Sequence, residues 1–197
     1  MGSLTTLAQS LGIAYASGIS LYATVAMLGV AHRMGWIDNL PAGLQGVGSW
    51  WVIAIAASLY AFEFLATLLP GLASAWETFH SLVRPPAAAA LAAATAWQGE
   101  PSFIVLAGLL GGGLALTTHA TKLGVRYAID TSPEPVTNGA ANVAEFGVVA
   151  TMVIAVWNHP YIALSAALAL LVLMALLVRT VWRAVKRTFT RGRAAAE

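Results

Sequence analysis

Apolar residues fall along this chain in long, nearly uninterrupted runs rather than in the alternating or amphipathic patterns of soluble elements. Four runs, residues 4–30, 50–69, 103–123 and 162–178, approach or exceed the ~20 residues an α-helix needs to cross a bilayer. A fifth, 138–157, is apolar apart from Asn138, Asn142, Glu145 and Thr151, and a sixth, 85–97, is alanine-rich but short. Turn-forming clusters separate them: Asp38 to Pro41, Pro70-Gly71, Arg84-Pro85-Pro86, Gly99-Glu100-Pro101, Ser132-Pro133-Glu134-Pro135 and Asn158-His159-Pro160. The pattern predicts an all-α fold, a polytopic membrane helix bundle of about six transmembrane helices. One integral membrane domain over 1–183 is expected, followed by a basic tail over 184–197. The first run has no basic leader and is too long for a cleaved signal, so it reads as a retained helix.

Composition leaves no room for a soluble domain beside these spans. Hydrophobic residues make up 59% of the chain and charged residues 9%, against roughly 25% charged in an average soluble domain. Glycine and alanine are abundant, as in bundles whose backbones approach closely. With no cysteine, disulfides, thiolate metal sites and cysteine nucleophiles are all excluded.

Basic residues predict the orientation, because Lys and Arg near span ends stay on the cytoplasmic side. Six spans with the C-terminus inside put Arg84, Lys122, Arg126, Arg179, Arg183, Lys186, Arg187, Arg191 and Arg193 in the cytoplasm, together with the N-terminus, and leave only Arg33 outside. Arg179, Arg183, Lys186 and Arg187 continue the last helix at helical spacing and read as a topology anchor that meets lipid headgroups. The basic run is short and attached to no folded reader, so nucleic acid is not an expected partner.

An internal repeat emerges when the first two helices are laid over the fourth and fifth. Gly18, Leu21, Leu28, Gly29 and Val30 match Gly113, Leu116, Leu123, Gly124 and Val125 without a gap. Ile37-Asp38 with Pro41 matches Ile129-Asp130 with Pro133, and Glu63-Phe64 matches Glu145-Phe146. Halves of three helices each, 1–98 and 101–183, would enter from opposite sides, the inverted arrangement of many secondary transporters.

The run Glu63-Phe64-x-Ala66-x-x-x-Pro70-Gly71, then Trp76, His80 and Arg84-Pro85-Pro86 before an alanine-rich helix, resembles a bacterial family of small multi-pass membrane proteins of unknown function. The resemblance covers nearly the whole chain and implies a bacterial inner-membrane fold, with little implied chemistry. Where that family's pattern often carries an acidic-basic pair after Glu-Phe-x-Ala, Thr67 and Leu68 stand here.

Intramembrane polar groups are the candidates for chemistry. An ionised carboxylate at the depth expected of Glu63 and Glu145 costs at least ~2.5 kcal/mol even on the lenient insertion scale. A retained proton, a hydrogen-bonding partner such as Tyr22, Tyr60, Asn138 or Asn142, or a cavity admitting a cation would offset it. Both carboxylates approach the axis of the repeat and are read as a proton- or cation-binding pair, with structural hydrogen bonding as the alternative. His119 sits three residues before Lys122 and seven before Arg126, roughly on one helical face. It reads as a proton relay or as a satisfied interhelical hydrogen-bonder, while Lys122 and Arg126 are expected to snorkel to the interface. Gly18, with Ser17 and Ser20, and Gly112, within Gly111-Gly112-Gly113, mark either helix breaks that expose backbone to a ligand or close helix packing. Trp36, Trp50, Trp51, Trp76, Trp97 and Trp157 fit interfacial belts, and His32, His80 and His159 are too dispersed for a metal site.

No hydrolase elbow, phosphate loop, dinucleotide fingerprint or zinc-protease helix occurs. Neither enzyme activity, nor a cofactor, nor a metal is expected. Two functions remain: a small inner-membrane transporter or channel-like protein using the Glu63–Glu145 pair, or a non-transporting structural or assembly subunit. The lipid bilayer is the expected partner, with a homo-oligomer or a larger membrane complex around it and a small solute or ion as cargo.

Overall fold

The computed structural model describes residues 2–38, 40–69, 72–130 and 135–194. The sequence-predicted breaks at Pro70-Gly71 and 132–134, and the side chains of Asp130, Lys186 and Arg187, lie outside what is described. The fold is all-α, and the described residues form seven α-helices and one 3-10 segment: α1 Ser3–Ile19, α2 Leu21–Arg33, the 3-10 segment Ala42–Gly48, α3 Trp50–Ala66, α4 Leu72–Thr95, α5 Pro101–Asp130, α6 Pro135–Asn158 and α7 Pro160–Ala194. Three of these are long and apolar enough to cross a membrane: Pro101–Arg126, Val136–Asn158 and Pro160–Thr180. The 3-10 segment and α3, bent by 71° at their junction, make a fourth if taken as one span. Three to four candidate spans point to a membrane location. The outer surface agrees, since Trp51, Leu65, Leu109, Val136 and Leu173 are exposed while Glu63, Glu77, Arg84, Lys122 and Arg126 are buried.

The first apolar run is not one helix. Ser20 is extended (φ −149°, ψ 108°), which ends α1 and begins α2. Its N–H still donates to Ala16 O, and its Oγ caps α2 by accepting from the Ala23 N–H at 3.4 Å, so a serine satisfies both raw helix ends at one residue.

One expectation about helix boundaries is corrected, and one left open is decided. The short run 85–97 belongs to a longer helix, because α4 starts at Leu72 and passes through Pro85 and Pro86. Two prolines remove two backbone donors, but the turns before them are anchored by side-chain bonds described below. The Gly111-Gly112-Gly113 run does not break α5, which is continuous through it. A Cβ on Gly112 would come within 3.0 Å of the Ala89 methyl of α4, and one on Gly111 within 3.2 Å of Ala14 of α1. These glycines are therefore a close-packing face. Gly18 has the same role, since a Cβ there would lie 2.7 Å from Ala115 O.

The tightly packed centre is α4 against α5 with α1 across both, lined by small buried residues such as Ala14, Ala88, Ala92, Ala107 and Ala115. On the other side of α1, larger side chains (Ile13, Tyr15, Leu28, Val149, Val153 and Val156) join it to α2 and α6.

Candidate functional site: a buried charge network

Glu63 is near the end of α3, in its last turn rather than mid-helix. The carboxylate accepts from Arg84 Nη2 of α4 at 2.5 Å and from Ser20 Oγ at 3.4 Å, and stands 3.7 Å from Lys122 Nζ of α5. One helical face further along α4, Glu77 Oε2 accepts from Arg84 Nη1 at 2.8 Å, and Glu77 Oε1 lies 3.3 Å from Lys122 Nζ. From α6, Glu145 meets Lys122 at 3.1 Å and Arg126 Nε at 2.8 Å. Four helices, α3 to α6, and the α1–α2 junction at Ser20 thus make five elements that converge on three carboxylates and three cations.

The network is almost dry. Side-chain exposure is 0% for Arg84, 2% for Lys122, 5% for Glu63 and 11% for Glu77, and rises to 23% only at Glu145. Unpaired charges at such burial would each cost several kcal/mol, and pairing with added hydrogen bonds is what offsets that cost. Three acids against three bases leave no net charge for a resident proton or cation to neutralise.

The break between α1 and α2 opens onto this network. Lys122 Nζ donates to the freed Ile19 carbonyl at 2.9 Å, and Ser20, at the start of α2, donates to Glu63. A cation at a helix C-terminal carbonyl and an anion at a helix N-terminus both match the helix dipole.

His119 is held between Arg84 and Ser81. Arg84 Nη1 donates to His119 Nδ1 at 2.9 Å, and since arginine only donates, Nδ1 is the unprotonated nitrogen. His119 Nε2–H then donates to Ser81 Oγ at 2.9 Å, and Ser81 donates on to Glu77 O. This is a neutral imidazole with both nitrogens engaged. His80, also fully buried, donates from Nδ1 to Trp76 O and accepts at Nε2 from the Tyr22 hydroxyl at 2.9 Å. Asn142 tightens the far side: its Oδ1 accepts from Arg126, and its Nδ2 donates to Thr67 Oγ1 at 2.7 Å and to Phe64 O.

Several sequence expectations change here. Arg84, Lys122 and Arg126 do not reach outwards from the bundle, because each is buried against a carboxylate. Glu63 and Glu145 do reach one site, but through Lys122 between them. Of the neutral partners proposed for them, Tyr22 bonds His80, Tyr60 stacks on Phe146 at 5.4 Å, and Asn138 Oδ1 has no partner among the described residues. His80 lies within α4 rather than at a helix end, and with Trp76 it joins an aromatic group with Tyr22 and Phe62. Arg179 and Arg183 are exposed on α7. Gly18 and Gly112 pack helices and contribute nothing polar. Glu77 and Ser81 were missed by sequence reading, although Glu77, Ser81 and Arg84, at four- and seven-residue spacings, share a helical face. Among the described residues no group of three His, Asp or Glu side chains is placed to hold a metal ion.

A family model described as Domain of unknown function (DUF4126) matches residues 7–180. The chain belongs to the DUF4126 family. No curated protein and no solved structure matches it. The DUF4126 match runs from α1 into α7 and takes in every residue of the charge network.

Proposed function

We propose that this chain is a small inner-membrane transporter or channel-like protein in which the Glu63–Lys122–Glu145 group handles a proton or cation. The observation that carries the reading is the break between α1 and α2, whose two raw ends meet a lysine and a glutamate of one buried network. Discontinuous helices at membrane depth are how many transporters expose backbone and dipole to a passing ion. Because the network is neutral, a proton or cation arriving at Glu145 leaves Lys122 and Arg126 with surplus positive charge and favours a rearranged pairing. Glu145 is the entry because it is the most exposed of the three acids. At the other end of α1 a polar cavity of about 490 Å³, lined by Thr6, Gln9, Pro41, Gln98 and Glu100 among others, forms a vestibule, with buried Ser10 and Ser17 on the same helix between it and the network.

The reading comprises five crossings, α3, α4, α5, α6 and α7, with α1 and α2 entering and returning on one side; what supports this is that Thr5 meets Tyr161 at 3.0 Å and that Thr6 lines one cavity with Pro41 and Glu100, so the expected six crossings, cytoplasmic N-terminus and inverted halves 1–98 and 101–183 are not kept. Reporter fusions after Pro41 and Gly99 should then report outside, and fusions at Pro135 and the C-terminus inside. A fusion at the N-terminus should report outside as well, and a cytoplasmic N-terminus would overturn the five-crossing reading. For function, the full chain in liposomes holding a trapped pH-sensitive dye should collapse an imposed proton or cation gradient. Glu63→Gln and Glu145→Gln should abolish the flux while leaving folded protein in the bilayer. Full flux in the double variant removes the transport reading.

The complete compensation of charge favours a second reading, a structural or assembly subunit whose network locks five elements in one arrangement. Under that reading purification in mild detergent yields a stoichiometric membrane companion, and purification as a lone protein counts against it.

A further inference from the structure

We infer that the polar cavity at the N-terminal end of α1 is a binding site for a small, uncharged molecule of the amide class, a carboxamide, urea or cyclic amide that presents an N–H and a C=O side by side. The cavity measures about 490 Å³, within the range of about 300–1,000 Å³ typical of small-molecule sites. It lies where the first turns of α1 face the connection between α4 and α5, and its polar wall is made by Ser3, Thr6, Gln9, Thr95, Gln98 and Glu100. The site goes beyond the transport reading and stands without it; for a transporter it names the class of solute carried.

Gln9 decides the ligand class. It is 2% exposed and lines the cavity, yet its carboxamide forms no hydrogen bond with any described residue. Unlike the neighbouring Ser10 hydroxyl, which protein atoms close off, the Gln9 amide keeps a surface open to the cavity. A primary amide offers an acceptor oxygen and a donor nitrogen in one plane. Leaving both unpaired at such burial is costly, and a second amide laid against the first in reversed order satisfies both at once. Thr95, also 2% exposed, donates its hydroxyl hydrogen to Leu91 O at 2.8 Å, which leaves its oxygen to accept a further N–H of the ligand. Pro41 and Phe103 supply an apolar side for a ring or short chain.

The charge of the ligand follows from the same wall. Among the described residues no Lys, Arg or His lines the cavity, so an anion finds no counter-charge there. Glu100 is the charged side chain in the wall and is exposed, and an ion pair made in contact with water adds little. The buried part, at Gln9 and Thr95, is neutral and selects by its pattern of donors and acceptors.

The test is equilibrium binding of nicotinamide to the full-length protein in lipid nanodiscs, read by saturation-transfer NMR against empty nanodiscs of the same lipid. Binding above the empty-disc level is expected, about three- to tenfold tighter than for 3-acetylpyridine, in which a methyl group replaces the amide nitrogen. Gln9→Met, which removes the amide at nearly constant volume, should erase that difference, and Thr6→Phe, which fills the cavity from a wall position, should remove binding of both. Equal binding of the two probes to the natural protein would overturn the amide class, as would tighter binding of nicotinate or of 3-(aminomethyl)pyridine. A difference that survives Gln9→Met would overturn the assignment to Gln9, and no excess over empty discs would overturn the site. Binding without flux in liposomes keeps this site and removes transport; flux without binding does the reverse.

Discussion

Two regions of this molecule hold helices together by opposite means. Along the α4–α5–α1 seam, backbones approach so closely that Ala89, Ala92 and Ala14 lie where a side chain on Gly111 or Gly112 would go. A few residues towards the C-terminal half of α5, the same helices are joined by Arg84, Glu77, His119 and Lys122. In a bilayer, association by small-residue packing is a sum of weak, non-directional contacts, whereas polar pairs are few, directional and costly when incomplete. The seam can therefore tolerate imperfect geometry, and the network cannot tolerate a missing member.

That contrast predicts a graded set of effects. The largest is at Arg84, which serves two carboxylates and is wholly buried. Arg84→Leu leaves Glu63 and Glu77 undercompensated and should cost about 3–5 kcal/mol or more, seen as a collapse of membrane-inserted yield and of the unfolding midpoint in an SDS titration. A loss below ~1 kcal/mol would mean that water reaches the network and screens it. In the seam, Gly111→Leu drives its side chain into α4 and α1 and should cost about 1–3 kcal/mol by overpacking in the same titration. If it cost as much as Arg84→Leu, the seam would be as exacting as the network and the comparison would fail. The smallest effect has the opposite sign. A Cβ at Gly113 meets nothing within 4 Å, so Gly113→Ala should stabilise α5 by up to ~1 kcal/mol through helix propensity alone. A loss there would place a partner helix against that face.

Glu63, Glu145, His119 and Asn142 were legible as candidates because each is polar in an apolar run, where a polar side chain must be compensated. Their partners were not legible. Arg84 stands beside two prolines and reads as a loop residue, but α4 continues through that sequence because its polar face is tied to α3 and α5. Lys122 and Arg126 read as basic residues near a span end, and only the contacts with Glu77 and Glu145 show that they turn inwards. The glycines of the first and fourth runs look alike, yet the chain breaks at Ser20 and not within α5. Ser20 has Ala16 O, the Ala23 N–H and Glu63 to satisfy the exposed ends, whereas Gly111 and Gly112 have only alanines facing them.

The sequence by itself determined that the chain is helical, built of long apolar segments and poor in charge, because hydropathy and turn chemistry act over a few neighbouring residues and can be summed along one helix. Only the tertiary structure decided which charges pair, that they balance, and that the break between α1 and α2 ends on them. Those are distances between groups such as Lys122 and Ile19 O, 103 positions apart in sequence, and they depend on how five elements pack around a few angstroms of shared space.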